Sequence, residues 1–146
     1  MSKTSEIPFA TTLLVRDSCL CLHTQRAARA LARRFDEALR PAGLTSGQFS
    51  LMMSLNRPHP PGIGSVAALL AMDRTTLTAA LKPLERRGLV EITTDPADRR
   101  GRLLALTPEG REVLARAVPV WEQTHAAVET VLEDAGRLRR DLSALS

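Results

Sequence analysis

The sequence predicts a mainly α-helical fold interrupted by one small β-hairpin. Three observations carry that expectation. The stretch DRTTLTAALKPLERRGL (73–89) has leucines at helical spacing and a marked start and stop. Immediately after it the pattern changes to extended, with Val90, Ile92, Thr93 and Thr94. A turn-rich tip, DPADRRG (95–101), then leads into a second extended run from Arg102 to Leu106.

The chain has 146 residues, 44 % of them hydrophobic and 25 % charged. That is enough for one domain with its own core, and it excludes a disordered chain. With three Phe, one Trp and no Tyr, the core must be built from Leu, Val, Ala and Met. The net charge of +4 favours polyanionic partners, nucleic acid first. Leu13-Leu14-Val15 is cut short by Arg16 and Asp17, so neither a signal peptide nor a membrane span is expected. Cys19 and Cys21, spaced CxC, are no disulfide framework, and a cytoplasmic setting follows.

Taken in order, residues 1–8 read as a frayed arm. One long helix is expected from about Phe9 to Arg40, with Asp36 pairing Arg40 across a turn, until Pro41 and Gly43 stop it. Thr45 and Gln48 form a capping box, with Leu44 and Phe49 placed as its hydrophobic staple, and the helix runs to about Asn56. Pro58, Pro60, Pro61 and Gly62 force a loop. A short helix follows, Ile63 to Ala71, burying Ile63, Val66, Ala67 and Leu70.

The spacing from this short helix to the next is that of a helix-turn-helix. In the second helix Asp73 is the N-cap, Leu77, Leu81 and Leu84 make the buried stripe, and Gly88 with Leu89 makes the stop. The other face carries Thr75, Thr78, Ala79, Lys82 and Arg86. Most helices with outward Lys and Arg are simply solvated. Here the preceding helix and the basic hairpin behind it favour a recognition helix for the DNA major groove, with the hairpin as a wing whose tip arginine enters the minor groove. Thr107-Pro108 then opens a last long helix, through Trp121 to Leu132, which Pro119 should kink. Gly136 is expected to mark the junction with a terminal helix that aligns Leu138, Leu142 and Leu145.

Helices, recognition helix, wing and further helices come in this order with MDRTTLTAALKPLERRGLV (72–90), DPADRRGRLLALTPEG (95–110) and TSGQF (45–49). The chain resembles the MarR family of winged helix-turn-helix transcription regulators, over nearly its whole length. The resemblance implies a single domain, 1–146, with 9–44 and 108–146 as dimerisation helices and 45–107 as the winged helix-turn-helix. It implies a homodimer on a palindromic operator, usually a repressor, released by a small, often phenolic, effector or by cysteine oxidation. The wide apolar faces of 9–40 and 108–146 agree with a dimer. Where many relatives carry Arg this chain has Ala79, and Ala71 stands where glycine is common. Pro83, inside the recognition helix, frees the Ala79 carbonyl and is expected to bend the helix along the groove.

The candidate sites follow. Thr75, Thr76, Thr78 and Lys82 are assigned to the major groove and Arg99 to the minor groove, with Asp98 orienting Arg100. Arg74, Arg86 and Arg102 are assigned to phosphates, as are Ser46 and Gln48 at a helix N-terminus. His23, Arg26, Met52 and Trp121 are the effector-pocket candidates. Cys19 and Cys21 read either as packed small hydrophobes or as a redox pair; a metal site at Cys19 and His23 lacks ligand spacing to support it. No catalytic residues, metal or cofactor are expected. The partners are double-stranded DNA, a second copy and a small effector, with no membrane. The alternatives are a redox-responsive regulator acting through Cys19 and Cys21, and a winged-helix module that meets a protein instead of DNA.

Overall fold

The structure, a computed structural model, describes residues 5–146. Its elements are α1 (Phe9–Ser18), α2 (Leu20–Leu39), a 3-10 turn (Arg40–Ala42), α3 (Ser46–Leu55), α4 (Ile63–Leu69), α5 (Arg74–Arg86), β1 (Val90–Thr94), β2 (Arg102–Leu106), α6 (Pro108–Glu129) and α7 (Ala135–Leu145). The chain divides into two compact units, one ending at Arg34 and the other spanning Phe35–Ser146, with α2 running through the boundary. Of the expected N-terminal arm, residues 1–4 lie outside the described residues.

In the first unit the single long helix expected from Phe9 breaks at Cys19, whose ψ of 110° is extended. The Cys19 N–H closes α1 on the Val15 carbonyl at 3.0 Å. Its Sγ then accepts from the Leu22 N–H at 3.4 Å, as an N-cap of α2. The break falls after Asp17-Ser18, residues whose side chains compete for backbone and favour helix ends over interiors. No residue of α1 is buried.

The second unit holds the core. Leu39, Met52, Val66, Leu77, Leu81, Leu84 and Leu104 are its largest fully buried side chains. The α5 leucine stripe therefore points inward as the periodicity requires. At α3 the capping box is complete: the Gln48 N–H donates to Thr45 Oγ1 and the Thr45 N–H to Gln48 Oε1, each at 3.1 Å. Leu44 and Phe49 are both buried beside it.

Two similar stops frame the helix-turn-helix. After α5, the Gly88 N–H donates to the Glu85 carbonyl and the Leu89 N–H to the Leu84 carbonyl, with Gly88 at φ 72°. After α4, the Ala71 N–H donates to Ala68 and the Met72 N–H to Ala67, but the left-handed position is filled by Ala71, at φ 51°. An alanine there carries a Cβ penalty of about 1 kcal/mol that glycine avoids. Ala71→Gly is accordingly expected to raise stability by ~0.5–1 kcal/mol in a urea melt. A lower stability would show that the turn is held by other contacts.

β1 and β2 pair antiparallel, with Val90 opposite Leu106 and Thr94 opposite Arg102. The proline loop is not free. The Leu104 N–H donates to the Pro61 carbonyl at 2.9 Å, and Gly62 bridges Leu103, so the loop lies along β2 as a minimal third strand. Behind the hairpin, Thr107 Oγ1 accepts from the Gly110 N–H at 3.0 Å and donates to the Gly88 carbonyl at 2.6 Å. One hydroxyl thus ties the start of α6 to the stop that ends α5. Gly110 packs on the Leu89 carbonyl so closely that a Cβ would overlap it.

α5 and α6 run as single helices through Pro83 and Pro119. α6 stops at Glu129, short of Leu132. The junction is made by residues 130–134 and not by Gly136, which lies in the first turn of α7. Asp134 caps that turn, accepting from the Arg137 N–H at 2.9 Å.

Candidate nucleic-acid interface

The second helix of the helix-turn-helix, α5, is anchored at its start by Asp73. Its carboxylate accepts from the Thr76 N–H at 2.7 Å and from the Thr76 hydroxyl at 2.9 Å. These bonds, the backbone one foremost, hold the Asp73 carboxyl below its ordinary pKa. They also commit the Thr76 hydroxyl to the cap, which takes its proton away from the base-reading role assigned to it. Opposite the buried leucines, Arg74, Thr75, Thr78, Ala79 and Lys82 line a shallow hollow of about 330 Å³. Arg74 lies back across the first turn of α4: a Cβ on Gly64 would sit 2.9 Å from its guanidinium. Arg86 is exposed in the last turn of α5.

The hairpin tip is held by its own backbone. The Ala97 N–H donates to Asp95 Oδ1 at 2.9 Å and the Arg100 N–H to Asp98 Oδ1 at 3.0 Å. Asp98 therefore fixes the main chain at Arg100 and does not orient its guanidinium as expected. Arg102 Nη1 donates to the Arg99 and Gly101 carbonyls at 3.2 and 3.1 Å, so it braces the tip from below. Arg99 and Arg100 are left exposed and outside every ion pair among the described residues.

At the N-terminus of α3 the expected phosphate donors are already taken. The Ser46 N–H donates to Asp36 Oδ1 at 2.6 Å, and the Gln48 N–H goes to Thr45. The backbone N–H groups of Ser46 and Gln48 are therefore parts of the cap, beside the Asp36 carboxylate. Asp36 bonds Ser46 in place of the expected pair with Arg40. The Ser46 backbone bond first, then its hydroxyl, hold the Asp36 carboxyl low against the opposing effect of burial, and the Arg40 charge adds the smallest contribution. Both carboxylates are lowered in the folded state, so their stabilisation is present above the ordinary carboxylate pKa and is lost as pH falls through the lowered values. The thermal midpoint is expected to fall steeply below about pH 4, and Asp36→Asn to flatten that fall. An unchanged acid limb in Asp36→Asn would show the bond to carry no linkage.

Several positions around the site gave little sequence signal. Arg87 reaches back 44 residues, donating to the Gly43 carbonyl at 2.9 Å, and so ties the end of α5 to the turn before α3. His125 stacks on Trp121 with ring centroids 4.6 Å apart, and its Nδ1 lies 3.3 Å from Glu129. Trp121 in turn stacks on Phe49 at 6.1 Å. The helical spacing of Trp121, His125 and Glu129 was the one available clue. This aromatic ladder backs a half-open groove of about 580 Å³, walled by Phe49 and Met53 of α3, Leu69 of α4, and Val118 and Trp121 of α6. Of the pocket candidates Trp121 lines it, while Met52 is fully buried in the core. His23 and Arg26 lie in the first unit, around a separate hollow on α2 with Arg29 and Arg33. There Cys19 is half-buried and Cys21 exposed. No cluster of metal-ligating side chains occurs among the described residues, and no helix among them is long and apolar enough to cross a membrane.

Comparison with known proteins places this geometry. The MarR family pattern matches residues 44–101, from the turn before α3 to the hairpin tip. The chain is 40 % identical to the M. tuberculosis transcriptional regulator MosR, solved in complex with DNA, over 88 % of this chain and 93 % of that one, with a TM-score of 0.82. It is 32 % identical to the transcriptional repressor CouR, bound to a 23-mer DNA duplex, over 97 % of this chain and 96 % of that one, with a TM-score of 0.71. Among curated sequences, the transcriptional regulator HosA of Escherichia coli is 42 % identical over 81 residues, 54 % of this chain and 58 % of its own. The chain spans little more than half the length of the curated relatives it matches. Its fold, its matched segment and the likeness to MosR over most of both chains together show that the chain belongs to the MarR family.

Proposed function

We propose that this protein is a homodimeric regulator of transcription that binds a palindromic operator as a repressor and is released by a small aromatic, phenol-like effector. One observation carries it: a capped helix exposing Arg74, Thr75, Thr78, Ala79 and Lys82 is followed at once by a braced hairpin whose tip arginines stand outside every ion pair among the described residues. The helix suits the major groove and the tip the minor groove. The DNA-bound structures of MosR and CouR support the same use of this fold.

The second copy is inferred from uncovered apolar side chains. Phe9, Leu14 and Leu20 in the first unit, and Leu138, Leu142 and Leu145 on α7, stand in water in a single chain. A two-fold dimer covers such faces and reads a two-fold site. The groove beside Trp121 has the size and lining of a small-molecule pocket and suits a flat ring. A thiol-switched variant of this reading is favoured by the break at Cys19, where oxidation would disturb the α2 cap.

The test is sedimentation of the purified chain together with fluorescence anisotropy on duplexes from its own upstream region, titrated with salt. A dimer binding one palindrome tightly, with a steep salt slope, is the expected result. Weak, sequence-blind binding would instead favour a module that meets a protein. Trp121 is the only tryptophan, so its emission reports a phenolic ligand directly. Release by peroxide, abolished in Cys19→Ser, would assign control to the thiols.

A further inference from the structure

Resting on the DNA-binding reading of α5, we propose that the hollow between Arg74 and Lys82 is a methyl pocket. It takes the C5-methyl group of a thymine, which makes Ala79 the residue that fixes a T·A pair in each half-site. The helix-turn-helix and the wing locate the interface; the side chains in the hollow decide what is read there.

The hollow has a cation at each end and Thr75, Thr78 and Ala79 between them. None of these central side chains can make the paired hydrogen bonds by which Arg reads guanine or Asn and Gln read adenine. What they present is methyl groups and two short hydroxyls. Thr76 does not line the hollow, and its hydroxyl is bonded to Asp73. In the major groove thymine alone among the four bases offers a methyl group, and Ala and Thr methyls are its natural contacts.

The flanking charges fit the same assignment. Arg74 is laid back over Gly64, away from the middle of the helix face, and Lys82 stands one turn beyond Thr78. Both are placed at the rim, where phosphates run, so the centre of the face is left to the short side chains. Ala79 lets the helix backbone approach the base edges closely. A longer residue there would hold α5 off the groove floor. The alanine is therefore a different reader and not a lost one.

The experiment uses the full chain. An operator is first selected from a random-sequence duplex pool. Its thymines are then replaced, one symmetric pair at a time, by deoxyuridine, which removes only the methyl group, and affinity is read by anisotropy. One pair is expected to lose affinity about fourfold per half-site, the value of one buried methyl. That loss should shrink to less than about twofold in Ala79→Ser, with the salt slope unchanged. The matched cytosine duplex should bind weakly and recover with 5-methylcytosine. If no deoxyuridine costs more than about twofold, or the loss persists in Ala79→Ser, the methyl pocket is wrong while DNA binding stands. If the pool yields no sequence at all, the DNA-binding reading itself has failed.

Discussion

Gly110→Ala is expected to cost at least about 3 kcal/mol and to lower the thermal midpoint by roughly 10 °C. The added Cβ falls on the Leu89 carbonyl oxygen, which is backbone and cannot swing aside. That carbonyl already accepts the Thr107 N–H at 3.1 Å, and the Thr107 hydroxyl holds both Gly88 and Gly110. Relieving the overlap means pulling α6 off the junction between the recognition helix and the hairpin. Operator binding is expected to fall with stability, because that junction sets the wing against α5. Gly47→Ala is the matched control. It lies in the first turn of α3 with no atom within 4 Å of the new Cβ, and it should gain roughly 0.5 kcal/mol. A Gly110→Ala protein that melts with the wild type would mean that the close approach is not a constraint.

Residues whose partners lie within a turn or two were legible in the sequence, and residues whose partners lie far along the chain were not. Asp73, Thr45, Thr107 and the Gly88 stop depend on neighbours three to five positions away, and all four form as the spacing required. The leucine stripe of α5 faces the core because a 3.6-residue period leaves it no other face. Gly110 was invisible because its reason is the Leu89 carbonyl, and Arg87 because its acceptor is Gly43. Asp36 misled: Arg40 sits one turn away, but the carboxylate accepts instead from the Ser46 N–H at a helix N-terminus, and nothing local announces that donor. The arginines at the hairpin tip show the same limit. Composition makes Arg99, Arg100 and Arg102 equivalent, whereas the turn points two outward and spends the third on its own carbonyls.

That inequality among the three arginines sets the largest expected effect on binding. Replacing both Arg99 and Arg100 by alanine should leave the tip intact, since its bonds run from the Arg100 N–H to Asp98 and from Arg102 to the Arg99 carbonyl. Neither bond uses the deleted guanidinium groups. The melting temperature is therefore expected to hold. A dimer on its operator would lose four cations, and each contact released is worth about 0.9 in the slope of log affinity against log salt. The slope should become shallower by up to about four units, with affinity at moderate salt falling roughly a hundredfold or more. Arg102→Ala should behave differently, giving a smaller change in slope together with faster hydrogen exchange at the tip, because it removes a brace. The size of the drop in the double variant also counts wings. Half the expected change would mean that one hairpin of the pair is engaged. No change, with melting preserved, would take the tip off DNA altogether and leave a protein surface as its partner.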